Sequence, residues 1–220
     1  MAIGSNGQAI ISDTVSNSQL WAPTMIRIGY DLIGPLQNAI SRARGGWELS
    51  GEVDFNKFFV VTEFGNEHFD YGDSSYHYRS DGNYLRLGFD LNMIPRDKYG
   101  SVLFFGFRYA TSRFDETISG ETNVFQWGSA YMNEKNTKVK STWIEFTAGM
   151  KAKVWKQLYM GYTLRLKVSP SINGEQNLET YRIPGYGLQS KPNFWGINYY
   201  VSWRFDFRKK YVRPQKNPKE

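Results

Sequence analysis

The stretch GINYYVSWRFDF, Gly196 to Phe207, decides the fold because apolar and polar residues alternate along it with a period of two. Such alternation is typical of a β-strand whose two faces lie in different surroundings. Two interpretations fit the pattern. In a soluble β-protein the apolar face is the core and the polar face meets water. In a membrane barrel the apolar face meets lipid and the polar face lines the lumen.

Bulk composition excludes several classes of protein. The 220 residues suffice for one sizeable domain, 17% of them are aromatic, and the mean hydropathy is −0.54. The apolar runs are far shorter than the roughly 20 residues that a membrane-spanning helix needs. The chain has no cysteine, which excludes disulfides and thiolate metal or redox sites.

The net charge of +6 belongs mostly to the C-terminal segment 208–220. This segment holds six basic residues and one acidic residue, so the rest of the chain is nearly neutral. We therefore expect no nucleic-acid partner. Residues 1–23 lack the charged and apolar regions of a signal peptide.

Seven further segments alternate in the same way, and short links between them alternate with long ones. The short links are residues 56–57, 94–100 and 155–157. This layout predicts an all-β fold, an eight-stranded antiparallel up-and-down transmembrane β-barrel with long extracellular loops and short periplasmic turns. An even number of strands places both termini in the periplasm. The predicted strands are residues 25–32, 47–55, 58–67, 84–92, 103–110, 143–154, 158–168 and 196–207, so that residues 1–23 form an N-terminal periplasmic segment, 24–207 the barrel and 208–220 a basic periplasmic tail.

The polar faces of these strands carry almost all of the strand charges, in nearly equal numbers of acids and bases. A soluble barrel would have to enclose the large apolar side chains instead, and an eight-stranded lumen has too little room for them. Inside a lumen that side chains fill, charges must pair, so we expect a packed ion-pair network that plugs the lumen instead of a conducting pore. The predicted network comprises Arg27, Asp31, Glu48, Glu52, Asp54, Glu63, Arg86, Asp90, Arg108, Glu145, Lys151, Arg165, Arg204 and Asp206.

Large aromatic residues lie near the ends of the predicted strands. Outer-membrane barrels carry aromatic girdles at both membrane interfaces. The pattern predicts that the following residues face lipid headgroups: Trp47, Trp143, Trp155, Tyr159, Trp195 and Trp203.

The layout resembles that of the small eight-stranded outer-membrane barrels OmpA and OmpX, over roughly residues 24–207. The motifs RIGYD (Arg27–Asp31), LRLGFD (Leu85–Asp90), FFGFRY (Phe104–Tyr109) and the closing SWRFDF are similar to small barrel families of Bacteroidota. The resemblance implies location in the outer membrane, with its lipids and lipopolysaccharide as surroundings. The triplet around Thr14, Asp-Thr-Val, resembles the O-glycosylation sequon of that phylum and implies a glycan on Thr14.

The second outer loop carries both histidines of the chain and is the candidate for chemistry. His68, Asp70, Asp73 and His77 could bind a divalent metal ion. Alternatively, His77, Asp73 and Ser74 could act as base, orienter and nucleophile, which resembles the barrel that palmitoylates lipid A. A charged lumen argues against the acyl pocket of such an enzyme. The plain alternative is an exposed polar loop.

We expect a non-enzymatic barrel without a cofactor, acting as an accessory or scaffold subunit of a larger envelope complex for protein secretion or outer-membrane protein assembly. Its partners would be other outer-membrane proteins or lipoproteins. The tail residues Arg208, Lys209, Lys210 and Arg213 would bind anionic headgroups or an acidic partner. The alternatives are a metal-binding or lipid-modifying enzyme built on the second loop, and a free-standing adhesin-like barrel.

Overall fold

The computed structural model describes residues 22–41, 43–73, 75–95, 97, 100–124, 128–176 and 178–208. In these ranges the chain forms strands β1 (Met25–Asp31), β2 (Arg44–Phe55), β3 (Phe58–Gly72), β4 (Tyr76–Asn92), β5 (Val102–Val124), β6 (Gly128–Trp155), β7 (Leu158–Asn173), β8 (Arg182–Ile183), β9 (Gly187–Leu188) and β10 (Asn193–Asp206), with helix α1 (Ile33–Ile40) after β1.

Eight of the described strands close into an antiparallel barrel in the order β1–β10–β7–β6–β5–β4–β3–β2. The seam joins the first and last barrel strands, where Met25 lies opposite Asp206. Strands β8 and β9 form a separate two-stranded hairpin between β7 and β10. The predicted fold class, an eight-stranded up-and-down barrel, is confirmed.

The barrel has two different ends. One end, called the turn end, holds the two-residue turns 56–57 and 156–157, the described residues of segment 93–101, and the described residues before β1 and after β10. Asn56 (φ 64°) and Lys156 (φ 45°) adopt the positive φ that tight hairpins favour. The opposite end, called the loop end, holds α1, the two other hairpins and segment 174–192.

Two hairpins at the loop end are much longer than predicted. Strands β3 and β4 continue to Gly72 and from Tyr76, and β5 and β6 continue to Val124 and from Gly128, so most of the expected second and third outer loops is strand. The apolar alternation ends where these strands leave the apolar band, although their backbone ladder continues. The part of β3–β6 beyond the band, residues 66–72, 76–83, 113–124 and 128–140, is called the extension.

Helix α1 was not predicted from the sequence. Asp31 supports its start, because one carboxylate oxygen accepts a hydrogen bond from the N–H of Gly34 at 3.2 Å and the other accepts one from Tyr199 N–H at 2.9 Å. Asp31 therefore holds the first long connection against β10. No helix in the described ranges has the length and hydropathy of a membrane span.

The outer wall between the two ends is an apolar belt. Its side chains stay about half exposed in the isolated chain, as a surface that meets lipid requires. Examples are Ile28 (51%), Val60 (51%), Leu87 (51%), Phe105 (57%) and Phe146 (54%). Four tryptophans near strand ends are also exposed, namely Trp47, Trp155, Trp195 and Trp203.

Two residues of the predicted aromatic girdle lie inside the barrel instead. Trp143 and Tyr159 are each 1% exposed. They share strand faces with Glu145 and Arg165, so the same alternation that points these charges inward points the two rings inward too. Their position near a predicted strand end had suggested that Trp143 and Tyr159 face the lipid headgroups, and this prediction was wrong.

A charge placed in the belt should weaken folding in lipid. Leu87→Arg lies on an exposed position of the belt, and Arg near the bilayer midplane costs about 2–4 kcal/mol, falling to about 0–1 kcal/mol at the interface. Ser119→Arg, in the extension, is the matched control. Urea titration of the barrel in phospholipid vesicles measures both, and equal losses for the two variants would contradict the belt.

Candidate functional site

The lumen contains a layer of ten charged side chains, counted among the described residues, that are joined by ion pairs. Five are acidic and five basic, and every one of these side chains is at most 9% exposed. The members of this ionic layer are Arg27, Glu48, Glu52, Glu63, Arg86, Asp90, Arg108, Glu145, Lys151 and Arg165.

The half of the ionic layer nearer the loop end centres on two arginines. Arg86 contacts Glu48 through Nη1 at 2.5 Å and Glu145 through Nε at 2.9 Å. Arg165 Nη1 lies 2.9 Å from Glu63 Oε2 and 3.1 Å from Glu145 Oε2. Each arginine thus bridges carboxylates from different strands, which ties the far walls of the barrel together.

The other half of the layer runs as a chain of pairs. Arg27 Nη1 lies 2.6 Å from Glu52 Oε2, and Glu52 also pairs with the ammonium of Lys151. Lys151 Nζ lies 3.6 Å from Asp90 Oδ2, and the other oxygen of Asp90 lies 2.7 Å from Arg108 Nη2. Alternating signs therefore continue across the lumen.

Glu63 connects the two halves, because its Oε1 lies 3.6 Å from Arg108 Nε while its Oε2 faces Arg165. Removing charges from water is costly unless each meets a partner with good geometry. Every member of the layer has an oppositely charged partner at 2.9 Å or less, so the charges are paired within the protein.

Four residues of the predicted network lie outside the ionic layer. Arg204 and Asp206 pair with each other at 2.6 Å near the turn end, where both remain partly exposed. Asp54 accepts hydrogen bonds from the backbone N–H groups of Thr24 and Met25 at 2.7 and 2.8 Å. Asp31, as described above, also bonds backbone groups.

Apolar side chains cover the ionic layer on the side of the turn end. They form a buried cluster of Met25, Phe59, Val61, Val102 and Phe104. Two cations of the layer lie on aromatic faces here, with Lys151 Nζ 4.3 Å from the ring centre of Phe104 and Arg27 4.7 Å from that of Tyr159.

Part of the fourth long connection covers the layer at the loop end. Residues 180–188, called the plug, include the β8–β9 hairpin, and Ile183 and Tyr186 of the plug are fully buried. The ring of Tyr186 packs edge-on against Trp143 with a centroid distance of 5.7 Å. The buried cluster around them comprises Tyr84, Ala110, Phe114, Val139, Trp143, Ile183 and Tyr186.

Gly185 anchors the plug to the charged wall. Its N–H donates to Glu67 Oε2 at 2.8 Å, and its carbonyl accepts from Arg86 at 3.0 Å and Lys167 at 2.7 Å. Its φ is +80°, and an added Cβ would lie 2.6 Å from the ring of Tyr84. Glycine is therefore required both by conformation and by space.

The plug and the side chains that hold it were not predicted from the sequence. Arg182 of the plug lies 2.7 Å from Glu67, and Arg44 lies 3.4 Å from the same carboxylate oxygen. Glu67 and Lys167 both lie on inward strand faces, and these inward charges were a signal that another segment enters the lumen.

A cavity of about 280 Å³ remains between α1, β2, β10 and the plug. Its walls include Arg44, Trp47, Lys167, Trp195 and Asn198. The ammonium of Lys167 donates hydrogen bonds to the carbonyls of Gly185 and Tyr186 in the plug. The cavity therefore offers amide and aromatic surface more than free charge. It has room for a small polar molecule or several waters.

The predicted second-loop site is not assembled. His77 Nε2 lies 2.6 Å from Asp70 Oδ1, but Asp73 accepts backbone hydrogen bonds in the hairpin turn and His68 lies two residues before Asp70 on β3. The register places His77 opposite Gly72, four residues beyond His68 on β3, so the two histidines lie about 13 Å apart along the strands. The described residues contain no group of three or more His, Asp or Glu that could hold a metal ion, and Ser74 lies outside them.

The terminal predictions fall mostly beyond the described residues. Thr14, Lys209, Lys210 and Arg213 lie outside them. Arg208 is described and exposed, and its N–H donates to the carbonyl of Thr24 at 3.3 Å.

A family model described as a domain of unknown function, DUF6048, matches residues 2–210. The chain belongs to this family. No curated protein matches this DUF6048 chain.

Three solved structures are similar to the DUF6048 chain at low identity. Ail, the attachment invasion locus protein of Yersinia pestis, is 10% identical with a TM-score of 0.42, and the match covers 83% of this chain and 98% of Ail. Neisserial surface protein A is 12% identical with a TM-score of 0.38, and the match covers 84% of this chain and 96% of that protein. The N-terminal β-barrel domain of Pseudomonas aeruginosa OprF is 12% identical with a TM-score of 0.28, and the match covers 84% of this chain and 100% of that domain. These values assign no function to the DUF6048 chain.

Breaking the ionic layer should cost far more than breaking the exposed pair. Arg165→Met removes the cation nearest to Glu63, at 2.9 Å, and one of the two cations paired with Glu145, and removing one member of a buried pair costs about 3–5 kcal/mol. Arg204→Met is the control, with an expected loss of about 0–1 kcal/mol because Arg204 is partly exposed. Urea unfolding of the DUF6048 chain in micelles compares the two, and similar losses would contradict a stabilising layer.

Displacing the plug should leave the barrel intact. Gly185→Ala introduces a Cβ against Tyr84 at a positive φ, so we expect faster amide hydrogen exchange across residues 180–188 with unchanged barrel strands. Gly51→Ala is the control, because its Cβ would meet only Thr62 Cγ2, at 3.3 Å. Unchanged exchange in Gly185→Ala would show that Gly185 does not hold the plug.

Proposed function

We propose that the chain is a non-enzymatic barrel of the bacterial outer membrane that acts as an accessory or scaffold subunit of a larger envelope complex, for protein secretion or outer-membrane protein assembly. The observation that carries this proposal is the filled lumen, with an ionic layer between an apolar cluster and the plug. A barrel closed in this way has its outer surfaces available for function.

The apolar belt supports the membrane location. Belt residues such as Leu87 and Phe105 would lie in the acyl chains, and exposed tryptophans such as Trp47 and Trp203 would lie at the interfaces. The loop end would then face the cell exterior and lipopolysaccharide. Residues 1–23 and 208–220 would both lie in the periplasm, with the basic tail near anionic headgroups or an acidic partner.

The ionic layer supports a non-enzymatic role. Its carboxylates and bases satisfy one another, and both sides of the layer are covered by buried apolar side chains. A catalytic acid or base must reach its substrate within hydrogen-bonding distance. Glu48 and Arg86 are the members of the layer that border the cavity beside the plug, and there they pair with each other at 2.5 Å.

The extension supports a protein partner. Its aromatic residues form a connected surface beside the plug, in which Tyr71 lies 6.1 Å from both Phe69 and Tyr76, and Tyr78 lies 5.4 Å from Tyr181, measured between ring centroids. Tyr71, Tyr76 and Tyr181 remain 53%, 41% and 49% exposed. Aromatic residues are enriched in protein interfaces, where they bury large areas at little entropic cost.

The same aromatic surface also favours one second candidate, a free-standing adhesin-like barrel. The two roles differ in whether the partner is a resident of the same envelope. Co-purification therefore separates them.

The test is gentle detergent extraction from the native envelope with a C-terminal tag. We expect outer-membrane proteins or lipoproteins to co-purify in stoichiometric amounts, and Tyr71→Ser with Tyr76→Ser to reduce their yield at least about tenfold because it removes central interface aromatics. Tyr109→Ser, in the belt and 54% exposed, is the control and should retain the partners. A lone, heat-modifiable monomer would refute the scaffold role.

A further inference from the structure

A row of polar residues crosses the outer face of the extension directly above the belt. It runs over four neighbouring strands through Asn66, Asn83, Arg113 and Lys140, each opposite the next in the register. Asn83, Arg113 and Lys140 are exposed, and Asn66 is half-buried, donating to Asn83 Oδ1 at 3.2 Å. The row is thus the first level of charged and amide side chains beyond the apolar surface on this side of the barrel.

Two cations face each other in this row. Arg113 lies directly opposite Lys140, and directly opposed like charges destabilise a strand pair. No carboxylate of the described residues lies within 4.0 Å of either cation. The nearest acids in the register, Asp81 and Asp115, lie one row further from the belt and oppose each other, and Asp115 accepts a hydrogen bond from the N–H of residue 138 at 2.7 Å.

The next row of residues on the belt side of the cations is polar on β5 and β6 and apolar on β3 and β4. Thr111 lies opposite Thr142, while Phe64 and Leu85 continue the belt. A hollow of about 450 Å³ connects these levels on the outer face. Its lining includes Phe64, Asn83, Leu85, Thr111, Arg113 and Lys140.

We infer that Arg113 and Lys140 bind the phosphate of a phosphorylated glycolipid in the outer leaflet, with an acyl chain of the same lipid on Phe64 and Leu85. A shared phosphate would turn the repulsion between the cations into two charge-assisted contacts, with the guanidinium as a fork and the ammonium as a point charge. The inference rests on the proposed outer-membrane location. It commits to a membrane lipid because the hollow continues into the belt.

The first experiment measures binding of bisphosphorylated lipid A to the full chain in micelles by native mass spectrometry. Arg113→Gln with Lys140→Gln should weaken binding roughly tenfold or more, since each basic residue near a charged membrane surface contributes about a factor of five. Lys153→Gln with Lys156→Gln, near the turn end, removes the same charge and should leave binding unchanged. Equal binding by both double variants would overturn the inference.

Two further probes identify the source of the phosphate. Lipid A without its phosphates should bind the wild-type chain weakly. Its affinity should equal that of intact lipid A for the Arg113→Gln/Lys140→Gln variant. Inorganic phosphate at the concentration of the lipid should not displace lipid A, and full displacement would overturn the lipid as ligand. Phosphate-dependent binding by a chain that purifies without partners would support this site while refuting the scaffold role.

Discussion

The contacts of Arg86 and Arg165 with Glu48, Glu63 and Glu145 are the interaction on which the rest of the structure depends. A barrel with an apolar exterior has to place its polar residues inside, where water is replaced by other side chains. Charge balance in the lumen is then a condition for closure. It also fixes the register, because a slip of one residue along any strand would move its charges onto the belt and its belt residues into the lumen.

The material that covers the ionic layer differs between the two ends. At the turn end, strand residues such as Phe59 and Phe104 close the lumen from the barrel wall itself. At the loop end, Ile183 and Tyr186 come from a connecting segment that folds back into the mouth. The belt, the layer and the two covers together leave the extension as the surface on which residues are free to meet partners.

Much of the barrel could be predicted from the sequence because period-two alternation reports the contrast between lipid and lumen. Glu145 and Arg165 were placed inside on this ground, and their contacts agree with it. The extension escaped detection because both of its faces are polar or aromatic, so strand pairing continues without an apolar signal. The plug escaped detection because Ile183 and Tyr186 lie in a Gly-rich and Asn-rich segment whose partners are distant in sequence. The arrangement around His77 could not be predicted, because it depends on the register between β3 and β4, which places His77 opposite Gly72 and His68 opposite Asp81.

The position of the plug in the chain constrains the order of folding. It lies between β7 and the closing strand β10, yet Gly185 and Arg182 bond Glu67 on β3, more than a hundred residues earlier. Contacts of such long range form late, because loop-closure entropy must be overcome first. The first and last barrel strands meet at the seam between β1 and β10, so the plug can enter there sideways only before the seam closes. Once β1 and β10 have paired, the plug can reach its position only through the open mouth of the barrel at the loop end.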